Sequence, residues 1–185
     1  MAEKSWGLRL REWLLLGVTA LAFAAFTPLH GKINKLPGCA EYVAPDMNVG
    51  LDPGVYAQAK GCLTANPEAG LGYYLSWHSL GLDLVFPALL TFASTIVLVR
   101  IGERLPRFNL MGAAAKWSSG AALPVAYAVA DYAENWNVAR WLKSGDDGLL
   151  SLIQTLTTLK FAALAVAAII AIGLFLSGLK QKGLS

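Results

Sequence analysis

Asp131 and Glu134 close a largely apolar run, YAVADYAENWNVARW, from Tyr127 to Trp141. Carboxylates three residues apart share one helix face, and Tyr127 and Asn135 fall at four-residue spacing on either side of Asp131. Such a pair can hold a polar ligand or work as general acid and base. In apolar surroundings two adjacent carboxylates do not both stay charged cheaply unless a cation lies beside them. Lys160, Arg140 and a protonated His78 are the candidate cations, and Asp83 is a further carboxylate set in an apolar run. The expected polar site is Asp83, Asp131, Glu134 and Lys160, with His78, Tyr127 and Asn135 at its edge. A plainer reading uses the same letters. Asp131 pairs with Lys160 to fix helix register, Glu134 is wet, and Trp136 and Trp141 join Tyr73, Tyr74 and Trp77 in an aromatic belt.

Other chemistries lack their residues. His30 and His78 are the only histidines, and no His-Glu-x-x-His unit occurs. Carboxylate-rich iron and manganese sites repeat Glu and Glu-x-x-His units across helices, and Asp131-x-x-Glu134 is a single instance, so no metal centre is expected. Ser76, Ser79 and Ser118 have no nucleophile-elbow context. Catalytic residues and cofactors are left unassigned on these grounds.

The elements that must position the cluster follow from composition. Of 185 residues, 56% are hydrophobic and 15% charged, whereas a soluble domain carries about 25% charge. The apolar residues are bunched into four runs at about 12–29, 79–99, 110–136 and 153–178. Crossing a bilayer takes about 20 residues of helix, and backbone groups in lipid must bond within their own segment. The expected fold is an all-α polytopic membrane protein, a single domain forming a four-transmembrane-helix bundle. The first run follows Lys4, Arg9 and Arg11 and carries the small-residue stretch TALAFAAF, features shared with a cleaved signal peptide. It is expected to be retained, because four spans leave the positive residues on one side.

Those residues are Arg9 and Arg11, then Arg100, Arg104 and Arg107, then Lys180 and Lys182. The positive-inside rule places both termini and the middle loop in the cytoplasm, as in a bacterial inner membrane. A net charge of +3 with no basic helix or basic-aromatic strand argues against nucleic acid. The connection at 30–77 then lies outside as a cap, in an oxidising space where its two cysteines, Cys39 and Cys62, form a disulfide. No Cys-x-x-Cys unit points to redox catalysis. Within the cap, Asp52 can start a short helix with Pro53 at its first position and Gly61 past its end. Pro87 and Pro124 fall inside the second and third runs, where each can kink its helix.

On this arrangement Asp83, Asp131, Glu134 and Lys160 fall at a similar depth near the outer boundary. The expected function is a non-catalytic membrane component that binds a lipid, small molecule or protein partner at an outer-leaflet polar site. Alternatives are a small membrane enzyme using Asp131 or Glu134 as acid or base, and a subunit of a transporter or larger membrane complex. The expected partners are membrane lipids and a membrane protein or a homo-oligomer. A binding site or enzyme needs a cavity lined by the carboxylates. A structural cluster is paired and closed over.

Overall fold

The structure is a computed structural model that describes residues 10–40, 42–47, 52–103 and 105–182. Arg9 and Arg104 lie outside the described residues, as do the side chains of Arg11, His30, His78, Ser79, Lys180 and Lys182. The described chain is helical, with no strand, and runs α1 (Leu10–Ile33), α2 (Pro53–Ala65), π-helical turns at Pro67–Gly72 and Tyr74–Leu82, and α3 (Asp83–Gly102). After these come a short α4 (Pro106–Asn109), then α5 (Ala113–Ser144) and α6 (Leu150–Lys182). Two of these helices, α3 and α6, are long and apolar enough to cross a membrane, and α1 is apolar over a shorter stretch, Glu12–Ala25.

Alternating direction is fixed by named contacts. Arg100 near the end of α3 holds Glu12 at the start of α1, with Nη2 to Oε1 at 2.5 Å. The Tyr132 hydroxyl donates to the Leu84 carbonyl at 2.7 Å, and the Thr91 hydroxyl to the Pro124 carbonyl at 3.0 Å, so α3 and α5 run antiparallel. A single glycine sets how closely they approach. A Cβ on Gly120 would stand 2.6 Å from Val99 Cγ2, on the opposing helix. Gly120→Ala is expected to push α3 and α5 apart and cost about 1–3 kcal/mol, the range for overfilling a packed contact. Thermal unfolding in detergent checks this.

The long helices order themselves by what they bury. α5 packs against both α3 and α6, whereas α1 lies against α3 and the π-helical turns before it. The middle helix can therefore carry polar residues on its enclosed faces. Outward, the long helices present Leu21, Phe92, Val129 and Ile169, each more than 60% exposed. Apolar residues bared this consistently need an apolar surrounding.

The cap differs in extent from the expected 30–77. α1 continues to Ile33, and helix resumes at Pro67. Asp52 caps α2 by accepting from the Gly54 N–H at 2.8 Å, with Pro53 at the first position. Gly61 does not end that helix, which runs on to Ala65. One glycine weakens a helix without terminating it, and the buried Tyr56, Ala59, Cys62 and Leu63 hold this one in place. Asn66 ends it instead, its amide donating to the carbonyl oxygens of Cys62 at 2.9 Å and Pro37 at 3.1 Å. Cys39 and Cys62 are bridged.

Candidate functional site

The site grows from the α5–α6 hairpin. Gly145 adopts a left-handed conformation, φ 73°, and its N–H returns to the Trp141 carbonyl at 2.8 Å to close α5. Glycine is favoured there because it has no Cβ to clash. Asp146 then accepts from the Gly148 N–H at 3.0 Å, which turns the chain into α6. Below this turn the facing residues recur at helical spacing. On α5 they are Trp141, Val138, Glu134 and Asp131; on α6 they are Ile153, Thr157 and Lys160.

Lys160 is the centre of the polar group. Its ammonium lies 3.1 Å from Asp131 Oδ1 and in closer contact with Glu134 Oε2. Asn135 donates from its amide to Asp131 Oδ2 at 3.1 Å. The Thr157 hydroxyl reaches Glu134 Oε1 and also the Ile153 carbonyl oxygen, at 2.9 Å. Having one proton, it donates to one of them at a time. Enclosure is nearly complete: Glu134 and Thr157 are 0% exposed, Lys160 3% and Asp131 6%. Charges so deep persist only when paired and hydrogen-bonded.

The expected residues divide cleanly. Asp131, Glu134, Asn135 and Lys160 meet. Tyr127 is buried one turn below Asp131 on α5, and Asp83 is buried at the start of α3, at the level that the Tyr132–Leu84 hydrogen bond sets. The side chain of His78 lies outside the described residues. Arg140 is exposed on α5 and is not one of the cations in the cluster. The expectation of a wet Glu134 is corrected, since α6 covers it completely. Trp141 and Tyr74 also leave the expected aromatic belt, being 1% exposed within the cap core, while Trp77 and Trp136 stand out at 60% and 68%.

One residue and one group escaped the sequence reading. Thr157 stands three residues before Lys160 on α6, mirroring Asp131 and Glu134 on α5, and that matched spacing is the signal that finds it. The group lies above. Lys60 of α2 reaches Asp147 Oδ1 at 2.9 Å and the Gly145 carbonyl at 3.3 Å, and the Trp141 indole N–H donates to the same Asp147 oxygen at 3.0 Å. The Tyr56 ring meets Trp141 edge-on at 5.8 Å. Between this tie and the ions lies an apolar layer of Tyr56, Leu63, Tyr74, Val138 and Ile153. No sequence pattern joins residues 60, 141 and 147, because their meeting depends on how α2 docks.

Asp147 sits in the exposed turn before α6. The Trp141 hydrogen bond, then Lys60, holds its carboxyl below the ordinary carboxylate range. A depressed value in the folded state stabilises that state above the unfolded value, and the contribution is lost as pH falls through the folded one. The tie between cap and turn is thus expected to persist through neutral and mildly acidic pH and to weaken only below the ordinary carboxylate range. Hydrogen exchange of the α2 amides against pH checks this, with Asp147→Asn flattening the response.

No known family model, curated protein or solved structure matches this chain. Fold and site define a small, mostly helical protein with apolar helices able to span a membrane and one disulfide.

Proposed function

We propose that the protein is a four-spanning integral membrane protein of a bacterial inner membrane, with both termini and the 103–112 connection cytoplasmic and the cap outside. It acts there as a non-catalytic component whose outer-leaflet polar cluster is the functional site, taking a small polar molecule or lipid headgroup. One observation carries this reading: a lysine and two carboxylates at almost no exposure, between helices dressed in apolar residues. Ionisable groups at such a place are expensive to keep and mark functional positions by default. The arrangement of helix ends supports the orientation, since Arg100, Arg107 and Lys116 gather at the end opposite the cap and the disulfide.

A second reading, that the cluster only locks the register of α5 on α6, meets the sequence criterion for a structural cluster, because the group is paired and closed over; the binding reading therefore requires the cluster to open. Purification in mild detergent followed by mass spectrometry separates the two. A small molecule or lipid that accompanies the wild type reproducibly, and is lost from Asp131→Asn and Glu134→Gln while thermal unfolding is unchanged, supports the binding reading. Identical co-purified material in all three proteins sinks it. Labelling of single cysteines at Lys35 and Lys116 with a membrane-impermeant thiol reagent, in a Cys39→Ala/Cys62→Ala background, tests the orientation. Labelling at position 116 from outside reverses it.

A further inference from the structure

Three layers are stacked over the same face of the α5–α6 hairpin. Outermost is the tie of the exposed Asp147 to the partly exposed Lys60 and to the indole N–H of the buried Trp141. Beneath it Tyr56 and Leu63 of α2 pack with Tyr74, Val138 and Ile153, all at 0% or 1% exposure. One turn further in, Glu134 follows Val138 and Thr157 follows Ile153, and the ions begin. Helix α2, which meets the hairpin through Tyr56 and Lys60, and the turn Pro45–Met47, which packs on both α5 and α6 with Pro45 buried, therefore stand together between the outer end and the charged group. The disulfide ties α2 to the turn after α1 and not to α5 or α6. A bridge placed so makes the two cap segments move as one body while leaving that body separable from the hairpin. Asn66, which binds Cys62 and Pro37 and ends α2, stands at the joint where the chain resumes helix.

We infer that α2, braced by the Cys39–Cys62 bridge, is a lid over the Asp131–Glu134–Lys160 cluster, held shut by the latch of Lys60 on Asp147 and Trp141. The inference concerns how the proposed site is reached and rests on the cluster being a site. In the closed state the apolar layer keeps water from the ions, which strengthens their mutual attraction. Lifting α2 uncovers that layer first and the ions second, so entry of a polar ligand from the outer phase is coupled to parting of the latch. The Lys60–Asp147 pair of the latch is exposed and polar, and so is the part of the closure that a change outside the membrane can reach.

Water-soluble carbodiimide reads access directly in the detergent-solubilised full chain. It activates a carboxyl of Glu134 or Asp131 as an O-acylisourea. Attack by the adjacent neutral Lys160 amine forms an isopeptide bond and releases the reagent as its urea, so that the protein loses the mass of one water. Mass spectrometry then finds the peptides of α5 and α6 joined. Wild type is expected to be protected. Asp147→Ala, which removes the acceptor for both Lys60 and Trp141, is expected to crosslink about fivefold faster, the change that loss of one exposed ion pair produces. Hydrogen exchange of α2 amides should rise in parallel, and Lys60→Met should repeat both effects. Ready crosslinking already in wild type overturns the lid, because the ions are then reached by another way. Faster α2 exchange with an unreacted cluster overturns the seal, and faster crosslinking without faster α2 exchange does the same. No change in either overturns the latch. Because the assay uses no ligand and no membrane sidedness, failure of the lid is distinguishable from failure of the binding site or the orientation.

Discussion

Lys160→Met is expected to lose about 3–5 kcal/mol of folding stability, the cost of removing one partner from a buried ion pair. The loss is large because Lys160 is 3% exposed and both its carboxylate partners are nearly sealed. Methionine fills much the same volume, so the penalty is electrostatic and leaves packing nearly intact. Against a typical total of roughly 5–15 kcal/mol, that is enough to depopulate the fold in mild detergent. Adding Asp131→Asn and Glu134→Gln to Lys160→Met removes the stranded charges and should recover most of the lost stability. Thermal unfolding of wild type, Lys160→Met and the triple variant measures both halves of the expectation. A Lys160→Met protein as stable as wild type would show that the ammonium does not compensate these carboxylates.

Cys39→Ala with Cys62→Ala is expected to cost about 3 kcal/mol, the entropy that closing a loop of this size withdraws from the unfolded chain. The bridged residues are separated by 23 positions, and both are buried in the cap core. The effect should be local. Amides of α2 should exchange faster while those of α3 and α5 keep their protection, because the bridge joins the cap to itself. Equal loss of protection in α3 and α5 would show instead that the cap and the long helices unfold together.

Much of this was legible in the letters and some was not, for physical reasons. Apolar runs announced α1, α3 and α6, since a helix with an outward apolar surface must be written in apolar residues. α5 was legible by a different rule, because a polar face spaced at three and four residues implies a neighbour that covers it. The partner of Asp131 and Glu134 was legible as a lone lysine in an apolar run. Depth was not. Whether Glu134 faced headgroups or α6 depends on a rotation of a few tens of degrees, which no residue type reports. The fate of Trp141 was hidden for the same reason. Aromatic belts and cap cores both favour tryptophan, and the docking of Tyr56 chose between them. Helix limits missed at Gly61 because a glycine is only a weak stop, outweighed here by four buried neighbours.

The enclosed position of α5 has a consequence for how the chain is made. If α5 spans a membrane as proposed, each carboxylate in it costs up to about 2.5–3.5 kcal/mol, the value on insertion scales for a helix centre, and less toward a helix end, and α5 carries two. Their counter-charge, Lys160, is synthesised only after the hairpin turn at Gly145. On that reading, α5 released singly would face lipid with its charges bare. On the proposed membrane reading, release of α5 into the bilayer is favoured once α6 lies beside it, because Lys160 offsets one of the two carboxylates.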